Sequence, residues 1–255
     1  RLRIDSSGRV LIGTQSTSNS AFLVLKGNTT GSNQQGEMLL LNGADPIEAN
    51  YGLGQITFGG GAGDQISSKI QGWSDHDWNT GGDTSDSPGR LVFYTTPDGS
   101  ATPTEKLRIS SEGYITAPNN VAFSANGGPS DITNNVIIFG TSLFQRGGTN
   151  YSTSTGVFTA PVDGIYHFMC NPYRYTDSND SALLLETSTN SGNTWTTQIE
   201  IRNMTNYLSD SGRGWFTLSL SQLIDLNAND QVRVKAVGRV HCNGTFSRFS
   251  GFLVA

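Results

Sequence analysis

"STGVFTAPVDGIYHF", residues 154–168, reads as a strand, a turn and a second strand. Val157 and Phe158 lead in, and the run Thr159-Ala160-Pro161-Val162-Asp163-Gly164 is turn chemistry. Tyr166 and Phe168 then flank His167, so two aromatics face one way and the imidazole the other. Further along, "GWFTLSLSQLIDL" (214–226) alternates Phe216, Leu218 and Leu220 with Thr217, Ser219 and Ser221. "DQVRVKAV" (230–237) sets Val232, Val234 and Ala236 against Arg233 and Lys235. Turn signals recur at intervals of about ten residues, and apolar spacing of the helical kind is almost absent. The pattern predicts an all-β chain whose second half is a two-sheet sandwich.

The 255 residues carry a net charge of −5 with no run of like charges. That balance gives no electrostatic footprint for nucleic acid or an anionic membrane surface, so neither is an expected partner. No apolar stretch approaches the roughly eighteen residues that insert in a bilayer. Cys170 and Cys242 are the only cysteines and lack the spacing of a zinc knuckle. They are expected as buried free thiols, a bridge between neighbouring strands being the alternative. Eighteen of the 31 glycines precede residue 119, and apolar residues are sparser there. Residues 1–118 are thus the poorer core builder, and the chain is expected to divide into 1–118 and 119–255.

The first half repeats a phrase. "RLRIDSSGRVLIGT" (1–14) returns as "KLRISSEGYITAP" (106–118), aligning Leu2 with Leu107, Ile4 with Ile109, Gly8 with Gly113 and Val10 with Ile115. Each copy predicts a short hairpin with one apolar face. Between them, Ile56 and Phe58, Ile66 and Ile70, and Leu91 and Phe93 mark further short strands. Burial yields about 1.5–3 kcal/mol per Leu or Ile, too little for so few side chains to offset the ordering of the backbone. The missing apolar cover is expected to come from other copies. "FGGGAG" (58–63) is expected to be a tight bend or a close chain approach, and "DHDWNTGGDTSDSPGR" (75–90) an exposed loop.

"PGRLVFYTTPDGSATPTEKLRISSEGYI" (88–115) and residues 1–14 resemble the recurring units of bacteriophage tail-fibre shafts. In that family three parallel chains intertwine around a shared apolar axis. The resemblance implies that Leu2, Ile4, Leu107, Ile109 and Ile115 face such an axis, and that the chain opens inside one unit of a longer fibre. The ordered blocks "FSA" (123–125), "TGVFTAPVDGIYHF" (155–168), "LNANDQVRV" (226–234) and "FSRFSGFLVA" (246–255) look like the globular head of the complement q subcomponent and of tumour necrosis factor-like ligands. That family is a ten-stranded jelly roll that assembles as a trimer. It implies core and trimer-packing roles for Phe123, Phe158, Tyr166, Phe168, Phe249 and Phe252.

Chemistry is sparse. The chain has no HExxH, no G-x-S-x-G and no phosphate or dinucleotide loop. No catalytic residue, cofactor or metal is expected. Asp75 and Asp77 could share a cation across copies, but a solvated loop is the simpler expectation. Recognition remains. Loops mixing aromatics with amides and charges suit saccharides, and the candidates are Tyr173, Arg174, Tyr175, Trp195, Tyr207 and Arg213. The two resemblances together imply a non-enzymatic, homotrimeric tail-fibre adhesin carried on the virion and joined upstream to tail or baseplate proteins. Its target would be a bacterial surface saccharide or outer-membrane protein. The rivals are a secreted complement- or cytokine-like signalling ligand and a glycan-degrading tail spike.

Overall fold

The computed structural model of the chain describes residues 2–6, 10–12, 23–25, 38–44, 47–61, 63–78, 86–128, 131–175, 180–204, 215–242 and 244–255. Regular structure among them is β throughout, without a helix. The chain divides into two units, Arg1–Thr116 and Ala117–Ala255.

In the first unit, β1 (Leu2–Ile4) and β2 (Val10–Ile12) pair antiparallel, and β3 (Leu23–Leu25) adds to β2 in parallel. A second sheet is an antiparallel meander of β4 (Gly52–Gly60), β5 (Gln65–Ser74), β6 (Gly89–Thr95), β7 (Thr104–Ile109) and β8 (Ile115–Thr116). The repeated phrase takes the same register twice. Ile4 lies opposite Val10 and Arg3 opposite Leu11, as Ile109 lies opposite Ile115 and Arg108 opposite Thr116. In the second copy the turn closes through Gly113 at φ 84°, a left-handed position that suits glycine. "FGGGAG" is a close chain approach, since a Cβ on Gly59 would sit 2.3 Å from the Gln65 carbonyl oxygen.

Register sorts the meander into two unlike faces. Directly opposed residues share a face, so Ile56, Ile70, Phe93 and Leu107 form one cross-strand row, and Leu91, Ile109 and Ile115 a second. Phe58 extends the same face and is 52% exposed, while Ile115 is 71% exposed. The opposite face closes over itself. Trp73 Nε1 donates to the Tyr94 hydroxyl (3.0 Å), Lys69 Nζ sits 4.5 Å above the Tyr94 ring, and Val92 beneath this layer is fully buried. One chain therefore supplies a sheet with a closed polar side and an apolar side that it leaves partly exposed.

The described ends of the 75–90 stretch are largely exposed, as expected, and are also tied to the sheet. Residues 79–85 lie outside the described set, but both ends are pinned. The Asp75 carboxylate accepts bonds from Arg90 Nη1 (2.9 Å), the Ser111 amide (3.0 Å) and the Ser111 hydroxyl (2.8 Å). Asp77 accepts the Ala49 amide (2.6 Å). Both acids thus accept hydrogen bonds from protein donors, Asp77 while remaining exposed. The Ser111 donors and Arg90 lower the Asp75 pKa from 3.8 to about 2. Because the folded value lies below the unfolded one, the clamp's contribution, about 2 kcal/mol, is complete above roughly pH 4 and fades as the pH falls towards 2. The protection factor of the Ser111 amide should fall about 30-fold over that window. An Asp75→Asn variant should show weak protection at every pH, and equal, pH-independent protection in both proteins would remove the clamp.

The second unit contains β9 (Ala122–Asn126), β10 (Ile132–Thr133), β11 (Thr141–Arg146), β12 (Val157–Thr159), β13 (Gly164–Asn171), β14 (Tyr173–Tyr175) and β15 (Asp180–Ser188). It continues with β16 (Thr196–Met204), β17 (Trp215–Thr217), β18 (Leu220–Leu226), β19 (Gln231–Val237), β20 (Arg239–Val240) and β21 (Arg248–Leu253). A five-stranded sheet in the order β11-β9-β21-β13-β18 faces a four-stranded sheet, β12-β19-β15-β16. The pairs β10-β20 and β14-β17 form short separate ladders. This is the expected jelly-roll sandwich, its two main sheets holding five and four strands among the described residues.

The strands on either side of the 160–164 turn do not pair with each other. β12 joins β19 and β13 joins β18 and β21, so the turn carries the chain from one sheet to the other. Phe158 consequently meets Tyr166 (5.5 Å) and Phe168 (5.3 Å) across the core. Phe123, Tyr151 and Phe249 complete a buried aromatic cluster, in which the Tyr151 hydroxyl donates to the Phe139 carbonyl (3.3 Å) and accepts the Phe139 amide (3.2 Å). Cys170 and Cys242 are free thiols in this core, and burial raises both pKa values, Cys242 to about 12. They are poor nucleophiles there.

Phe252 does not share the core with Phe249. Strand alternation turns it to the outer face of the five-stranded sheet, where it is 40% exposed and beside His167, which in turn lies opposite Leu223.

Candidate functional site

The β15–β16 hairpin ends in a turn that braces itself. Asn190 Oδ1 accepts the Thr194 amide (2.9 Å), Ser188 Oγ accepts the Gly192 amide (2.9 Å), and the Trp195 indole donates to the Gly192 carbonyl (2.9 Å). Gly192 adopts φ 84°, a conformation glycine reaches without penalty. Trp195 is thereby held at the end of the sheet.

Its other support comes from the neighbouring strand. Glu186 on β15 lies directly opposite Arg233 on β19, both on the outward side of the four-stranded sheet. Arg233 Nε donates to Glu186 Oε2 at 2.7 Å, and its guanidinium stands 3.9 Å from the centre of the Trp195 ring. Glu186 is only 5% exposed, so its charge requires this partner. The result is a fixed stack of carboxylate, guanidinium and indole.

Beside it lies a cleft of about 930 Å³. The 149–155 loop forms one wall, the 190–195 turn another, and Val157, Thr159, Gln231 and Arg233 of β12 and β19 the floor. The loop wall is held where the Gln145 amide donates to the Tyr151 carbonyl (3.0 Å) and accepts the Tyr151 amide (2.9 Å). The lining offers hydroxyls, carboxamides, one indole and one guanidinium, and no carboxylate, imidazole or thiol. Such a surface offers hydrogen-bonding groups and one aromatic ring to a ligand. Among the described residues no three His, Cys, Asp or Glu side chains gather as a metal site.

With the two sheets, the sheet-crossing turn and the aromatic core in place, comparison with known proteins gives a match to the C1q domain model over residues 122–254. The chain belongs to the C1q-domain family. The globular domain of zebrafish complement 1qA is similar in fold at 18% identity, covering 53% of this chain and 98% of that one, with a TM-score of 0.41. The Eiger TNF of S. frugiperda is similar at 12% identity, covering 53% and 94%, with a TM-score of 0.45. No curated protein matches the chain. Domains of the C1q type commonly form homotrimers. No helix among the described residues is long and apolar enough to cross a membrane.

The C1q domain separates the predicted recognition residues. Trp195 lines the cleft. Tyr173, Arg174 and Tyr175 form β14, paired with Thr217, Phe216 and Trp215 of β17 on a separate ladder. Tyr207 and Arg213 lie outside the described residues. Sequence reasoning missed Gln231, Arg233 and Glu186. The period-two pattern of "DQVRVKAV" placed Gln231 and Arg233 on an outward face, but nothing local identified the opposing Glu186, 47 residues away in sequence.

Proposed function

We propose that the chain is a distal part of a bacteriophage tail fibre, a homotrimeric adhesin whose C1q-type heads contact a saccharide or outer-membrane protein of a bacterial host. The observation that carries this assignment is the open apolar face of the β4–β8 meander. Ile56, Phe58, Ile70, Leu91, Phe93, Leu107, Ile109 and Ile115 share one face, on which one chain leaves Ile56, Phe58, Leu91 and Ile115 exposed and covers Ile70, Phe93, Leu107 and Ile109 only in part. Three copies turning this face inward would bury it around a common axis, and the repeated hairpin supplies the modular unit that a long fibre requires. Ile4, opposite Val10 and 69% exposed, extends the same logic to the first repeat, whose Leu2 shares that strand. On the head, the Leu223, His167 and Phe252 row offers a further partly apolar surface for threefold packing.

Adhesion in this scheme uses multivalency and no covalent step. Three weak head sites bound to one cell surface gain avidity of about 10²–10⁴ over a single site. The upstream partners would be tail and baseplate proteins, and the protein would reside on the virion. The test is retention of fluorescently labelled full chain on a panel of bacteria and on animal cells. Saturable binding to a bacterial strain, lost when its envelope polysaccharide or outer-membrane proteins are stripped, is the expected result. Retention only on animal cells would instead identify a secreted signalling ligand, and release of new reducing ends from envelope polysaccharide would identify a glycan-degrading spike.

A further inference from the structure

We propose that the cleft between the 149–155 loop and the 190–195 turn binds an uncharged oligosaccharide; this deepens, and rests on, the adhesin assignment. Four properties of the site lead to that ligand class. The first is unused hydrogen-bonding capacity. Thr149, Thr153, Thr159, Asn229 and Gln231 all line the cleft, and their side chains make no hydrogen bond among the described residues. Hydroxyls and carboxamides both donate and accept, as sugar hydroxyls do, so the two surfaces can satisfy each other in several orientations.

The second property is charge. Arg233 is the one ionised side chain in the lining, and it is already paired with buried Glu186. An anionic ligand would find no uncompensated cation, and a cationic one would find no carboxylate. Bringing either in would strip hydration that neutral hydroxyls and carboxamides replace only in part, with no opposite charge to compensate. An uncharged polar ligand needs hydrogen bonds alone, and those the lining supplies.

The third is rigidity. Trp195 is fixed by its bond to the Gly192 carbonyl and by the Arg233 stack, and the opposite wall is fixed by Gln145 clasping Tyr151. The indole and the opposite wall therefore have little freedom left to lose on binding, and the ordering cost falls on the floor side chains such as Gln231. The indole, Val157 and Pro161 supply the limited apolar surface that the C–H faces of sugar rings can cover. The fourth is size. A volume of about 930 Å³ lies near the top of the roughly 300–1,000 Å³ range of small-molecule sites, so it accommodates several linked rings in preference to one.

The experiment titrates the full chain with tetrasaccharides of glucose, galactose, mannose and N-acetylglucosamine, with tetragalacturonate as the acidic counterpart, reading heat and tryptophan fluorescence. At least one neutral tetrasaccharide should bind and tetragalacturonate should not. Gln231→Glu, which places a carboxylate on the floor, and Gln231→Ala should each weaken binding at least tenfold. Both should leave the melting temperature unchanged within a few degrees. Trp195→Ala should do the same to affinity, with Gln231→Ala as the check against a loosened turn. Absence of binding by every neutral tetrasaccharide, preference for tetragalacturonate, or affinity indifferent to all three substitutions would overturn the site. Bacterial retention that survives Gln231→Glu would also overturn the cleft while leaving the adhesin assignment intact. Tetrasaccharide binding in the cleft of a protein that no bacterium retains would leave the site standing and end the assignment to a phage adhesin.

Discussion

Replacing Phe249 by alanine is expected to destabilise the C1q domain by about 3–5 kcal/mol, a large share of the roughly 5–15 kcal/mol that holds a domain folded. Phe249 is fully buried at the meeting point of the aromatic cluster, with ring centres 5.1 Å from Phe123, 5.8 Å from Tyr151, 5.9 Å from Phe139 and 6.1 Å from Phe168. Those neighbours come from separate elements, β9, β13 and the 139–151 segment, and cannot all collapse into one void. The lining would lose dispersion contacts on every side. The gap is not easily refilled from the same strand. A Cβ added at Gly251 would stand 2.7 Å from Phe168 Cδ1 and 2.8 Å from Phe123 Cε1, so enlarging that position trades a cavity for a clash. Chemical denaturation followed by near-ultraviolet circular dichroism measures the difference, and a loss below about 1.5 kcal/mol would mean the cluster is not the keystone of the sandwich.

The second large effect is expected from Ile109→Asp. Ile109 lies between Leu91 and Ile115 in a row of the open apolar face. If that face packs around a threefold axis, the substitution places three carboxylates close together in a dry seam, where like charges and lost hydration each cost several kcal/mol. The meander should lose amide protection and become sensitive to limited proteolysis. The C1q domain, with its own buried core, should keep its melting transition. Unchanged protection in the meander would show the face to be wet in the native protein. Loss of both units together would show that they do not fold independently.

The same two regions differ in how far sequence could reach. In the meander, apolar residues two apart on short strands predicted one apolar face, and pairing register then aligned the separate strands into rows. The turn at 160–164 was recognisable from Pro161, Asp163 and Gly164, but its chemistry does not state whether the following strand returns alongside or crosses to another sheet. That choice is made by where Phe158, Tyr166 and Phe168 can bury together. Phe252 was decidable in advance. Phe249 and Phe252 are three apart, and on one strand an odd spacing puts them on opposite faces. Composition gave the exposure of the 75–90 stretch, through its Asp, Gly and Ser content, but not the contacts that pin its ends. Whether Asp75 meets water or Arg90 and Ser111 depends on strand pairing far along the chain. The cleft was legible at Trp195 alone. Its floor and its charge balance arise from β19 lying beside β15, a long-range pairing without a local signal.

Sedimentation equilibrium of the full chain at micromolar concentration reaches the core of this picture most directly. Three copies of the 27.3 kDa chain, a particle of about 82 kDa, are expected, with no dissociation on dilution to nanomolar. A soluble, folded species of 27.3 kDa would mean that the open apolar faces tolerate water in a single chain, and the fibre assignment would fall with it.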